Sequence, residues 1–459
     1  MFAQPTADRS TGRWSAVTGE RDRRDLVTFA LVLGVVAASF LGHYVFTLAG
    51  YSVRLEQIAP VPLAGWLLVN SRDRASFFRV LRHPVVLMFG AFIAWNVIAT
   101  LLSSPSLSKS ASILVWLAID LLLLAAVMSL GVRAVWVENI GIRCVVPWAV
   151  AGFAAFMLAN ASGGGITLGT NFDLQYQVFV ARVTAQEPNI YASILVLWTL
   201  LLLARKGTHR AWMIAVAVAV PLGIIGSQTR TAMFCMVLGL VVYVTYEYAR
   251  WYKDRSRSRT FLFGPAALLV GVVVAFGVAT MLPSFGEDAL RAKQAKEATS
   301  DVDTPAVASQ GKLGDIDLEG GNVGFRMKVA ETAAEDLHGV HLWFGNGTNT
   351  FSLRHDQPGS PGVPGHIIML PVQVLYDCGI VGLLLLVGLG VAVLRSVPVP
   401  RRPIAYAVVV AFTAAATMTS MFWFSVTWLI VAALVRPMTE KETAMDGAAR
   451  RDTEAPVAS

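Results

Sequence analysis

Residues 111–130 read ASILVWLAIDLLLLAAVMSL, twenty positions with a single charge, Asp120, and no proline or glycine. Crossing about 30 Å of hydrocarbon takes roughly 20 apolar residues as helix, since a helix satisfies its own backbone donors and acceptors without water. The segment therefore reads as a membrane span. Working outward from it, runs of the same kind cover 25–48, 55–69, 84–102, 145–160, 189–204, 211–226, 231–248, 261–282, 368–394, 403–419 and 422–435. With 55% hydrophobic and only 15% charged residues, the chain would be insoluble as a globular domain. We expect an all-α polytopic integral membrane protein of about twelve transmembrane helices. The second run is short and holds Pro60 and Pro62. The last two are separated only by a polar patch with Thr417, Thr419 and Ser420, so one tilted helix and two helices both fit.

Lysine and arginine are retained on the cytoplasmic side of a bilayer and so set its orientation. With the amino terminus inside, 26 of the 37 basic residues fall on cytoplasmic segments. The expected organisation is a cytoplasmic tail (1–24), nine helices (25–282), an extracytoplasmic loop between helices 9 and 10 (283–367), three further helices (368–435) and a second cytoplasmic tail (436–459). The first run follows Arg23 and Arg24 and lacks a small-residue cleavage site, so it is expected to stay as a membrane helix. The long loop holds twelve acidic and seven basic residues, so the net positive charge of the chain belongs to its cytoplasmic rim. Contact with anionic lipid heads explains that rim, and nucleic acid is not an expected partner. Cys144, Cys235 and Cys378 offer neither a disulfide framework nor a metal-ligand spacing.

The loop changes character along its length. Residues 286–321 are rich in Ala, Asp, Lys, Ser and Gly and read as flexible, whereas 322–367 read as structured. There Phe325, Val329, Ala333 and Leu337 recur every four residues, the pattern of one helical face over about 323–337. Gly345-Asn346-Gly347 then marks a turn, and 358–365, rich in proline and glycine, leads into His366.

Polar groups at or near spanning depth are costly and carry functional hypotheses by default. Arg230 stands at the start of a span with no other charge between Arg210 and Glu247. It reads either as a snorkelling anchor or as a guanidinium fork for a diphosphate. His366 reads as a structural histidine or a general base, and His338, His341 and His355 share its loop. Arg182 and Glu187 form a surface ion pair or line the same outer region. Asp120 is expected to pair with a polar neighbour such as Asn96, with a proton relay as the other reading.

In order along the chain, four motifs are similar to those of the O-antigen ligase and polysaccharide polymerase superfamily, a group of polytopic membrane glycosyltransferases. Glu187-Pro188-Asn189-Ile190-Tyr191-Ala192 resembles the Asn-Pro-Asn-x-x-Ala opening of a middle helix. Gln228-Thr229-Arg230-Thr231-Ala232 resembles Ser-Arg-Gly-Ala, with threonine in place of the serine. Arg326 and the stretch Gly345-Asn346-Gly347-Thr348-Asn349-Thr350-Phe351 resemble the loop arginine and its Gly-x-Gly-x-x-x-Phe turn. His366 and Asp377-Cys378-Gly379-Ile380-Val381-Gly382 resemble the loop-ending histidine and the acidic-x-Gly-x-x-Gly start of the next helix, although His-x-His-Asn is reduced here to Gly365-His366-Ile367-Ile368.

The resemblance implies transfer of a glycan from a polyprenyl diphosphate carrier to an acceptor hydroxyl on the outer face of the cytoplasmic membrane. The acceptor would be a glycan, lipid or protein. Arg230 and Arg326 would bind the diphosphate, His366 would act as general base, and Arg182, Glu187, Asn189 and Asp377 would line the cavity. No cofactor or metal ion is expected. A polymerase of the same superfamily would extend a lipid-linked chain instead. A lipid-linked glycan flippase or other transporter is the more distant alternative, and the clustering of polar candidates on one side favours an enzyme.

Overall fold

The computed structural model describes residues 18–42, 44–48, 51–173, 178–185, 187–203, 205, 210–253, 259–280, 322–357, 360–440 and 442–443. The described chain is mostly helical. Its first part runs α1 (Thr18–Phe40), a hairpin of β1 (Tyr44–Leu48) and β2 (Tyr51–Arg54), α2 (Leu55–Ile58), α3 (Pro60–Val69), α4 (Ser71–Val80), α5 (Pro84–Ser103), α6 (Leu107–Ser129) and α7 (Val135–Ala161). A second hairpin, β3 (Thr170–Asp173) and β4 (Val178–Ala181), precedes α8 (Pro188–Leu203), α9 (Arg210–Gly226), α10 (Arg230–Lys253) and α11 (Phe263–Thr280). Then come α12 (Asn322–Glu335), the single turns α13 (His341–Phe344) and α14 (Phe351–Arg354), and a third hairpin, β5 (Asp356–Gln357) and β6 (Ser360–Pro364). The chain closes with α15 (Leu370–Ser396), α16 (Arg402–Ala416) and α17 (Ser425–Val435).

Among the described residues, five helices are long and apolar enough to cross a membrane: Pro84–Ser103, Leu107–Ser129, Gly131–Ala161, Arg230–Lys253 and Leu370–Ser396. Five shorter apolar helices accompany them, Leu55–Val69, Pro188–Leu203, Arg210–Gly226, Phe263–Val278 and Ser425–Val435. Large apolar side chains such as Leu101, Phe234, Val273 and Leu384 remain exposed. Water would not tolerate such a surface on a soluble monomer, whereas lipid tails match it. The architecture is that of a multi-pass membrane protein. Every residue of α8 from Ile190 to Leu202 is buried, as is nearly all of α17, so these two helices form the centre around which the longer ones pack.

Several local expectations change. The run 25–48 is not one helix: α1 ends at Phe40, and residues 44–48 pair antiparallel with 51–54. Tyr44, Val45, Phe46 and Thr47 are β-branched or aromatic and favour that pairing once the helix stops before Gly42. The hairpin β3–β4 is new too, and the side-chain amide of Asn160 holds it to α7 by accepting from Phe179 N at 3.0 Å and donating to Phe179 O at 2.8 Å. The span at 145–160 extends back to Val135, because Glu138 is buried by arginine partners rather than left in a cytoplasmic link. The last apolar stretch is two helices, separated by residues 417–424. Asp120 does not pair with Asn96. Its Oδ1 accepts from Ser425 Oγ at 2.8 Å, while Asn96 Oδ1 accepts from Thr348 Oγ1 and Cys378 Sγ. The flexible stretch expected at 286–321 lies outside the described residues.

Candidate active site

The expected amphipathic helix is α12, and its apolar stripe decides where the loop sits. Val329 and Ala333 are buried against Phe351, Ile367 and Tyr376, with Phe325 and Val372 packed alongside. That small core lays the second half of the loop onto the first turns of α15.

The docking is sharpened by a break in α15. Gly379 has φ +65°, and a Cβ there would stand 2.2 Å from Trp343 O; Gly345, at φ +77°, would place its own Cβ 2.4 Å from the Asp377 carbonyl carbon. Each glycine leaves room for the other's backbone. The break frees carbonyls of α15, and these are taken up across the contact: Asn346 N donates to Tyr376 O (2.7 Å), Gly347 N to Asp377 O (3.1 Å) and Trp95 Nε1 to Cys378 O (2.9 Å). Asn349 N donates to Asp377 Oδ1 at 3.2 Å, and Ser110 Oγ to Thr348 O at 2.6 Å. Thus Asp377 is buried against the 345–349 turn, and its Oδ1 helps to hold that turn.

A second fastening joins α12, the third hairpin and α15. His355 Nε2 lies 2.7 Å from Asp336 Oδ2, and Tyr376 OH donates to the same oxygen at 3.0 Å. Burial by itself would raise the Asp336 carboxyl, but the hydrogen bonds from His355 and Tyr376, aided by the charges of His355 and Arg354, hold it below its ordinary value. A carboxylate depressed in the folded state stabilises the fold fully above the unfolded pKa of about 3.9, and that contribution fades as pH falls through the folded value. Amide exchange at residues 351–357, corrected for intrinsic rates, is therefore expected to lose protection between pH 5 and pH 3. In Asp336→Asn the acid-dependent loss should be absent. Identical pH profiles for the two proteins would remove the fastening role.

Arg326 follows Phe325 on α12 and is only 8% exposed. Its Nη1 lies 2.9 Å from Met418 Sδ, and its buried Nε has no hydrogen-bond partner among the described residues. Burial lowers the guanidinium from its usual value and the charge of Glu187 partly offsets this; an arginine so shifted is still a cation at neutral pH. Reciprocally, desolvation raises Glu187 while Arg326 opposes the rise. Glu187 itself is exposed to its surroundings outside the protein. The carboxylate coupled to Arg326 is thus Glu187, immediately before α8.

Residues 417–424 gather the remaining candidates. Beside Met418, Ser420 Oγ lies 3.0 Å from Ile368 O and 2.7 Å from Gln373 Oε1, and Trp423 Nε1 donates to Gln373 Oε1 at 3.2 Å. The link therefore touches Arg326 on one flank and the segment carrying His366 on the other. His366 itself is exposed, with no hydrogen-bond partner among the described residues. Arg230 is the exposed first residue of α10, after a turn in which Gln228 has φ +54°. Tyr246, late in α10, stacks on Tyr406 in the first turn of α16, so Arg230 and Met418 belong to the same end of the bundle. Asn189 is half-buried in the first turn of α8, and Arg182 follows β4, its N–H bonded to Gly169 O. Sequence reasoning did not anticipate the electrostatic influence of Glu187 on Arg326, nor Met418, Ser420 and Gln373 as neighbours of the site.

Residues 214–387 match the O-antigen ligase family. The matched segment covers 174 of the chain's 459 residues. It contains Arg230, Arg326, His366 and both halves of the glycine contact between 345 and 379, so the family match and the folded loop coincide. The match supports a relation to the O-antigen ligase and polymerase superfamily of membrane proteins, whose members are glycosyltransferase-like enzymes. No curated protein gives a significant match.

Proposed function

We propose that this O-antigen ligase-like protein transfers a glycan from a polyprenyl diphosphate carrier to an acceptor hydroxyl at the outer face of the cytoplasmic membrane. In this reading the chain crosses the bilayer twelve times, through α1, the α2–α3 pair, α5 to α11 and α15 to α17. Its amino terminus is cytoplasmic and residues 283–367 form the extracytoplasmic loop. Its place is the biosynthesis of cell-surface polysaccharide. A polymerase would use the same donor chemistry with a lipid-linked chain as acceptor.

The observation that carries the proposal is Arg326. A buried guanidinium facing a thioether, with an unpartnered Nε and a carboxylate nearby, is a cation short of acceptors. A diphosphate supplies several anionic oxygens in the geometry that an arginine fork accepts. In the proposed step the acceptor oxygen forms a bond to the anomeric carbon as the bond from that carbon to the diphosphate oxygen breaks. Polyprenyl diphosphate leaves with the bonding electron pair, and Arg326 and Arg230 stabilise its growing charge. The acceptor proton passes to the imidazole of His366. No cofactor or metal is invoked.

A strain lacking the gene should lose or shorten one surface polymer. Complementation with Arg230→Ala or His366→Ala, at matched protein levels, is expected to leave that polymer defective. Full rescue by both variants would sink the assignment of these two residues.

A further inference from the structure

The link at 417–424 has a feature that the transfer reaction does not explain. Helix α16 has 15 residues and α17 has 11, roughly 22 Å and 16 Å of helix, so in a twelve-crossing arrangement these two crossings are completed by irregular chain inside the hydrocarbon thickness. The link between them is largely buried, including Thr419, Met421, Phe422 and Phe424. Irregular backbone at membrane depth survives only where protein or an internal cavity satisfies it. Part of that satisfaction is local: Thr427 Oγ1 donates to Met421 O at 2.8 Å and Trp428 Nε1 to Phe422 O at 3.1 Å.

The next carbonyl is reached from far away in sequence. Arg54, at the end of β2 and 2% exposed, donates from Nη2 to Trp423 O at 3.3 Å. Its guanidinium lies over two rings, Trp116 at 4.9 Å and Phe424 at 4.5 Å, and Nη1 contacts Glu56 Oε1 at 2.9 Å. Ser425 Oγ, at the first residue of α17, bonds Asp120 Oδ1 at 2.8 Å and Glu56 O at 3.3 Å. A polar cluster from β2, α2, α6 and α17 therefore closes on one side of the link. Arg326 and the flank of His366 close on the other. Arg54, Glu56, Asp120 and Ser425 all lie outside residues 214–387.

We propose that Arg54 is a positioning residue for the transfer site: it clamps the 417–424 link in the conformation that supports Arg326 and the His366 flank, with Glu56 neutralising its buried charge and Asp120 fixing the start of α17. The effect on catalysis rests on the proposed function; the clamp itself does not. A planar guanidinium can reach Glu56 and Trp423 O at once while lying between two rings, and a lysine ammonium cannot. Misplacement of a catalytic group by about 1 Å can cost roughly 100-fold in rate.

The test uses the full-length chain carrying Ser420→Cys and Ile368→Cys, two positions in contact across the link. Oxidation should form the 368–420 disulfide efficiently in this parent, and Arg54→Lys should reduce its yield several-fold while the protein remains folded by thermal melting. In the protein without added cysteines, Arg54→Lys should lower kcat by roughly 10- to 100-fold with little change in the KM for the lipid-linked donor. An unchanged disulfide yield in Arg54→Lys would overturn the clamp. If Arg54→Lys does not fold, Phe424→Leu removes one flanking ring and is held to the same expectation. The disulfide readout decides the clamp even where no transfer is detected, an outcome that would count against the proposed reaction alone.

Discussion

Replacing Arg326 with alanine is expected to reduce glycan transfer by roughly 100- to 1,000-fold, the range seen when a preorganised donor to developing negative charge is removed. The expectation follows from its surroundings. The guanidinium is buried, α12 is fixed by Val329 and Ala333 in a small core, and Nη1 rests against Met418 while Nε has no partner among the described residues. A charge held this way is available to an incoming anion without prior rearrangement. Arg326→Lys should recover only part of the activity, because an ammonium offers a point charge in place of a fork. The assay is turnover of a lipid-linked donor by purified protein. Wild-type kcat in Arg326→Ala, with the protein folded, would remove this arginine from the chemistry.

The largest stability effect is expected at the other end of the bundle. Glu138 is fully buried, with Arg401 Nη2 at 2.6 Å, Arg436 Nη2 at 2.8 Å and Arg205 Nε at 4.0 Å. Arg401 also donates to Ala433 O at 2.7 Å, and Arg436 pairs with Glu442 at 2.6 Å. One carboxylate thus ties the start of α7 to the ends flanking α16 and α17. Taking away one partner of a buried ionic group leaves charge without compensation, which costs about 3–5 kcal/mol. Glu138→Ala should lose that much in denaturant unfolding in micelles. A loss below about 1 kcal/mol would show that the arginines find other acceptors or water, as exposed pairs do.

Much of the architecture was legible because bilayer thickness and helix geometry act on local sequence. Residues 111–130 and 368–394 need no knowledge of the rest of the chain to be read as spans, and the four-residue period of Phe325, Val329 and Ala333 marked α12 in the same way. What stayed hidden depends on distant partners. Glu138 meets arginines more than 260 positions away, and Asp120 meets Ser425 rather than Asn96 because α17, not α5, brings a hydroxyl to it. Strand β1, residues 44–48, reads as helix in the sequence because its apolar residues continue the run of α1 without a charge to interrupt it.

The candidate site was legible in parts. Arg326 and the loop motifs around Gly345 and Gly379 stood out, but the reason for those glycines emerges only when the two backbones are seen to nest. Asp377, expected to line the cavity, also accepts from the Asn349 N–H, a contact that its own segment does not announce. Glu187 looked like a partner for Arg182 and is coupled to Arg326. A helix period cannot report such pairings, which join separate segments of the chain.

The central claim is that this end of the protein handles a diphosphate-linked glycan. Its most direct test is release of polyprenyl diphosphate from a lipid-linked glycan donor by purified protein in liposomes, followed with and without acceptor. The account predicts acceptor-dependent release by the wild type and its near loss in Arg326→Ala, Arg230→Ala and His366→Ala. Release that continues undiminished in all three variants, or wild-type protein that binds the donor yet never liberates the diphosphate, would contradict it.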